Sequence, residues 1–111
     1  MRSHYCTDLD AKDIGKSVSL CGWVNSYRDH GGVIFVDLRD RSGIIQLAFD
    51  DNTEKAVFSK ASLLKSEYVA MATGKVRMRS SINPDIPTGE IEIEVTELKI
   101  LGESQTPPFE I

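Results

Sequence analysis

Residues 33–49 read VIFVDLRDRSGIIQLAF. Ile34, Val36 and Leu38 alternate with Phe35, Asp37 and Arg39, and Ile45, Leu47 and Phe49 alternate with Gln46 and Ala48. A period of two marks a half-buried strand. Between the two runs, Asp40-Arg41-Ser42-Gly43 supplies a tight turn in which Gly43 can take a positive φ. The stretch is therefore expected to form two paired strands. With the aliphatic sets turned inward, Phe35 and Gln46 emerge on the same outer face. A flat apolar ring beside an amide with donors and an acceptor suits a nucleobase that is stacked on one side and hydrogen-bonded at its edge. The alternation alone equally allows Phe35 to pack beneath a loop or a partner domain.

Upstream, Asp10–Ile14 is a short helical candidate stopped by Gly15. Ser17–Arg28 then reads as a strand, with Val18, Leu20 and Val24 on one face and Trp23 on the other. Gly22 falls where that inner face wants a side chain, and a strand glycine marks a bend or the close approach of another backbone. His30, in the Asp29–Gly32 loop, has no partner at ligand spacing and reads as a loop residue. Downstream, Asp50–Ser66 changes to a helical period. Asp51-x-x-Glu54 resembles a capping box, and Val57, Ala61 and Leu64 form an apolar stripe. This helix is expected to plug the end of a barrel.

Tyr68–Arg79 returns to a strand pattern. Ala70, Ala72, Gly74, Val76 and Met78 share its inner face, and Lys75, Arg77 and Arg79 line the other as a basic ridge. A turn-rich loop follows, in which Pro84 and Pro87 limit freedom and Ser81 and Asn83 offer short hydrogen-bonding groups. In Glu90–Leu101, Ile91, Ile93 and Val95 face in while Glu90, Glu92 and Glu94 face out. The apolar parity then changes to Leu98 and Ile100, which a one-residue bulge would reconcile. Residues 1–102 are thus read as one domain, and 103–111 as the start of a linker.

Length and composition narrow the function. A chain of 111 residues holds one core. The net charge of −4 argues against indiscriminate nucleic-acid binding. Its distribution is uneven: residues 1–79 carry 12 Lys/Arg against 10 Asp/Glu, and residues 80–111 carry one base, Lys99, against seven acids. Cys6 and Cys21 lack metal-ligand spacing and read as reduced core thiols. No secretion signal or membrane-spanning run is visible, so the expected setting is cytoplasmic. No nucleophile elbow, phosphate-binding glycine loop or zinc set appears. Asp37 and Asp40 are expected to pair with Arg39 and Arg41 rather than act as a catalytic carboxylate pair.

Strand, strand, strand, helix, strand, strand is the connectivity of an all-β, five-stranded OB-fold Greek-key barrel with a helix between strands 3 and 4. Such barrels bind oligonucleotides across strands 2 and 3, where Phe35 and Gln46 sit. The fold alone leaves open an unspecific single-strand binder and a protein-interaction module.

The segments LCGWVNSYRDHGGVIFVDLRDRSGIIQLAF, TGKVRMRS, TGEIEIEV and TPPFEI closely resemble the N-terminal anticodon-binding domain of bacterial aspartyl-tRNA synthetases. The central segment is shared with the lysyl and asparaginyl enzymes, whose OB domains are the alternative; TGEIE and PPF favour the aspartyl branch. The resemblance implies an excised part of a dimeric class II ligase whose catalytic domain charges tRNA-Asp with aspartate, using ATP and magnesium. The 111 residues themselves are expected to be inactive, with no cofactor, metal or catalytic residue. By the same resemblance, Phe35 stacks on the central uridine of the anticodon and Gln46 reads that base's edge. Arg28 lies near the second and third positions, Arg79 serves the third, and Glu92 reads the first, a guanosine. Arg77, Ser81 and Asn83 complete the expected anticodon-binding set. The departure is a shorter loop before Gly89, with Ser81 where many relatives carry Asn. A shorter hydroxyl weakens the check between C and U, which leaves two readings of the parent open: one that charges tRNA-Asp alone and one that charges tRNA-Asn as well.

Overall fold

The computed structural model describes residues 2–103. The five strands are β1 (Ser17–Asp29), β2 (Ile34–Asp40), β3 (Gly43–Phe49), β4 (Val69–Met78) and β5 (Ile91–Gly102), with one helix, α1 (Lys55–Ala61), between β3 and β4. They close a barrel in the order β1-β2-β3-β5-β4, with β4 returning to β1. Every pairing is antiparallel except β3 with β5. This is the expected OB connectivity. Leu20, Val36, Leu38, Leu47, Phe49, Ile93 and Leu98 fill the interior and are fully buried. Cys6 and Cys21 are free thiols; Cys6 lies in the core, whereas Cys21 is half-buried because it falls on the outer side of β1, between the inward Leu20 and Gly22. The proposed linker, residues 103–111, lies outside the described residues apart from Glu103.

Local chemistry explains the turns. Gly43 has φ +150°, and the Asp40 carboxylate accepts the Ser42 and Gly43 backbone N–H groups at 2.8 and 3.3 Å. Its second oxygen accepts the Cys6 N–H at 2.8 Å, tying the amino-terminal segment to the hairpin. Burial alone would raise the Asp40 pKa; the hydrogen bonds from Ser42 and Cys6 outweigh it and hold the carboxyl below its ordinary value. Asp40 therefore does not use Arg41, whose guanidinium lies over the Tyr5 ring instead. Gly22 is the close approach the pattern demands: a Cβ there would collide with the Arg39 carbonyl.

Two bulges set which side chains face outward. In β5, Thr73 pairs with Glu97 and Gly74 with Val95, so Thr96 is the extra residue that reconciles the two parities. In β1, Val24 pairs with Leu38 and Ser26 with Asp37, leaving Asn25 as a second extra residue. Simple alternation from Val24 would turn Ser26 and Arg28 inward. The bulge instead packs Tyr27 against the core and brings Ser26 and Arg28 to the outer face.

The helix is shorter than its apolar period implies. Asp50–Thr53 forms a turn of its own: Thr53 N–H donates to the Asp50 carbonyl, Asp50 N–H to Thr53 Oγ1, and Asn52 N–H to Asp50 Oδ1. Glu54, not Asp51, is the N-cap residue, and no side chain caps the helix, so the expected capping box is absent. Val57, Ala61 and Leu64 are nevertheless buried in the core as their spacing requires. Met78, expected inside, is 50% exposed, because β4 ends there at the rim.

Candidate nucleic-acid interface

One register line crosses all five strands. Ser26 on β1 lies opposite Asp37 on β2, Asp37 opposite Gln46 on β3, Gln46 opposite Glu92 on β5, and Glu92 opposite Arg77 on β4. The side chains of this line join into a continuous polar chain. Arg28 grips Asp37 with both terminal nitrogens, at 3.0 and 3.3 Å, and Ser26 donates to the same carboxylate at 2.7 Å. Burial raises the Asp37 pKa, but these donors prevail and keep the carboxyl below its ordinary value. Arg28 Nη2 then donates to Gln46 Oε1 at 3.0 Å, and Gln46 Nε2 donates to Glu92 Oε1 at 2.8 Å.

Beyond Glu92, a single guanidinium gathers three acids. Arg77 donates through Nε to Glu92 at 2.7 Å, through Nη1 to Glu94 at 3.0 Å, and through Nη2 to Asp50 at 3.1 Å. Burial opposes its charge, yet the carboxylates raise its pKa further. The expected basic ridge is therefore corrected at its centre. Arg77 is bound by acids rather than free, and its surroundings are net acidic. Asp37 likewise pairs with Arg28, not Arg39.

Gln46 and Glu92 are each only 5% exposed, so neither stands in open water as the strand pattern implied. The network locks the amide's orientation, since the reverse flip would face its NH₂ to Arg28 and its oxygen to Glu92. One amide hydrogen and one carbonyl lone pair remain for a ligand.

Phe35 is half-buried and lies opposite Ala48, whose small side chain leaves the ring uncovered by a neighbour on β3. It divides two hollows. The first, of about 480 Å³, brings together Arg28, Phe35, Gln46, Arg79, Ser81 and Asn83, six of the eight expected residues. His30, read from sequence as a loop residue, also lines it and sets its ring edge-on to Phe35 at 6.0 Å. The second, of about 400 Å³, holds the other two, Arg77 and Glu92, together with Asp50 and Met78. Phe35 and Ser80 belong to both walls.

The hollows differ in charge. Arg79 makes no ion pair among the described residues, and its Nε is buried without a hydrogen-bond partner. With Arg28 and Asp37 alongside, the first hollow is net positive. The second, lined by the Asp50 and Glu92 carboxylates around one guanidinium, is net negative. The loop over the first hollow is pinned: Asn83 N–H donates to the Gly89 carbonyl at 2.9 Å, and Thr88 Oγ1 donates to the Ile44 carbonyl. Asn83 Oδ1 accepts the Asp85 N–H at 3.0 Å, which leaves its NH₂ as a donor, while Ser81 is exposed.

Residues 18–101 match the model of the tRNA anticodon family, an OB-fold nucleic acid binding domain. The chain belongs to that family. Among the relatives of this anticodon-family domain is the aspartate–tRNA(Asp/Asn) ligase of Caldanaerobacter subterraneus subsp. tengcongensis. It is 54% identical over 112 residues, which cover 99% of this chain and 19% of the relative. The chain thus spans a small part of the curated relatives it matches. The asparaginyl-tRNA synthetase of Pyrococcus horikoshii superposes with a TM-score of 0.77 at 29% identity, over 96% of this chain and 24% of that one. OBody AM2EP06, solved bound to hen egg-white lysozyme, has a TM-score of 0.84 at 25% identity, over 94% of this chain and 96% of that one. That barrel carries a protein partner, so the fold by itself does not select RNA. The side chains must.

Among the described residues no group of three His, Cys, Asp or Glu side chains could hold a metal ion. No helix there is long and apolar enough to cross a membrane.

Proposed function

We propose that this anticodon-family domain reads the anticodon GUC for an aspartate–tRNA ligase, whose aminoacylation lies outside the stretch described. The observation that carries the reading is the placement of Phe35 between two hollows of opposite charge, with an orientation-locked amide in the first. The central uracil stacks on Phe35, and its edge, which offers one N–H donor and carbonyl acceptors, meets the free acceptor and donor of Gln46. The first base, guanine, has an edge rich in N–H donors and suits the acidic hollow at Glu92. The third base enters the basic hollow, where Arg79 Nε gains the partner it lacks; an unsatisfied buried donor costs ~1–3 kcal/mol. Arg77 acts here by holding Glu92 in place, not by contacting phosphate.

In the whole protein the chain's partners are tRNA-Asp, its own catalytic domain and a second copy in a dimer working in the cytoplasm. ATP and magnesium serve the catalytic domain, and no residue of the two hollows is assigned to them. Ser81 favours a relaxed third-base check. A hydroxyl reaches less far than an amide, and it lines the hollow that takes this base. The relatives named aspartate–tRNA(Asp/Asn) ligase point the same way, so GUU of tRNA-Asn is read as well.

Fluorescence titration with GUC, GUU and GAC anticodon stem-loops tests both statements. GUC and GUU are expected to bind within about threefold of each other, and GAC at least ten times more weakly, the loss of one good base contact. Equal binding of GAC contradicts specific reading. A clear preference for GUC over GUU contradicts the relaxed third position alone.

A further inference from the structure

A third hollow continues the groove beyond the acidic one. It has a volume of about 450 Å³, within the ~300–1,000 Å³ of small-molecule sites, and lies where the β1–β2 loop faces α1. Asp50 lines both the second and the third hollow, as Phe35 lines both the first and the second. The three hollows therefore follow one another along a single track. We propose that the third is a nucleotide subsite for the residue immediately 5′ of the anticodon. The assignment rests on the reading above, because the base at Glu92 must be the first of the triplet for the next hollow to lie on its 5′ side.

The lining supplies the parts of such a site. Phe58 is half-buried: its inner side packs on the core, and the ring borders the hollow. Lys55 is exposed and makes no ion pair among the described residues, leaving its ammonium for a phosphate. Asp51 is exposed and equally unpaired, and a carboxylate there accepts from a base edge that carries N–H groups. Thr53 Oγ1 accepts the Asp50 N–H at 2.8 Å, so its hydroxyl proton is directed elsewhere. The Asp50 carboxylate is bound by Arg77 and serves as wall rather than reader. Lys55 offsets Asp51, and Asp50 leaves the hollow mildly negative around an aromatic surface. That balance favours a base with its backbone over a free anion.

The test compares a GUC stem-loop with one that is abasic at the 5′-flanking position, each titrated against the 111-residue chain and its Phe58→Ala, Lys55→Gln and Asp51→Asn variants. A base stacked on an aromatic is worth ~1–3 kcal/mol, so the abasic change should weaken the wild type about tenfold or more and leave Phe58→Ala almost unmoved. Lys55→Gln should lower the slope of log affinity against log salt by about 0.7, the loss of one single-strand phosphate contact. Asp51→Asn, an exposed change that leaves the fold intact, should weaken binding of the intact loop and not of the abasic one. An abasic penalty that is absent in the wild type, or equal in the wild type, Phe58→Ala and Asp51→Asn, overturns the subsite. Should Phe58→Ala fail to fold, the Lys55 and Asp51 variants decide. Discrimination of GUC from GAC in the same titrations separates the two claims. If it persists while the abasic result fails, only the third hollow is wrong. If it is absent in the wild type, the triplet reading itself falls, and the subsite with it.

Discussion

Arg77→Met should destabilise the domain by roughly 2–3 kcal/mol, measured as a lower urea midpoint with an unchanged slope. Removing one partner of a buried ion pair costs ~3–5 kcal/mol because the other charge is left uncompensated. Here Arg77 is 31% exposed and Glu94 35%, and solvent screening reduces the figure. Glu92, at 7% side-chain exposure, carries most of the penalty. The same variant should bind the GUC stem-loop at least tenfold more weakly, since three neighbouring carboxylates then face RNA without a counter-charge. Arg77→Lys keeps the charge but loses the fork that reaches three acids at once, and should recover only part of both losses. A change below 0.5 kcal/mol, with RNA binding intact, would show that the acids are held apart without the guanidinium.

Gly74→Ala should cost about as much for a different reason. An added Cβ would sit inside van der Waals contact of the Glu94 carbonyl and close to its carbon. Both belong to a strand pair next to the Thr96 bulge, so neither can retreat without breaking the β4–β5 ladder. Overpacking of this kind costs ~1–3 kcal/mol, and each kcal/mol lowers the Tm of a domain this size by roughly 4–8 °C. A fall of about 10 °C is expected by calorimetry. Lys75→Ala, one residue on and exposed, should stay within ~0.5 kcal/mol of wild type. Equal Tm values for the two variants would mean that the strands do not approach so closely.

What could be read from the chain follows the reach of each interaction. The two-residue alternation of Ile34–Leu38, the bend at Gly22 and the parity change at Thr96 are local patterns, and each corresponds to the structure. In Ile45–Phe49 the inward set is as expected, but Gln46 and Ala48 are buried too, because neighbouring strands and side chains cover the outer face there. The polar chain was not legible. Its links join Arg28 to Gln46 and Gln46 to Glu92, 18 and 46 residues apart, and only strand register brings them together. Lys75, Arg77 and Arg79 looked like a ridge because the acids that bind Arg77 lie on β5 and after β3. His30 carried no motif and reached the first hollow through loop geometry. The polar pair Asn25-Ser26 interrupts an apolar alternation and is the sequence mark of the bulge that turns Arg28 outward. The helix is shorter than the apolar stripe, which continues to Leu64, because the Asp50–Thr53 turn takes the place of its first expected turn.

The central claim is that Phe35 stacks on the middle base. The most direct measurement is the affinity of the wild type and Phe35→Ala for GUC and GAC stem-loops at moderate salt. Loss of one base–aromatic stack, ~1–3 kcal/mol, predicts a fall of roughly ten- to a hundredfold for GUC in the variant, with the preference over GAC sharply reduced. Unchanged GUC affinity, with the preference retained, would contradict the account.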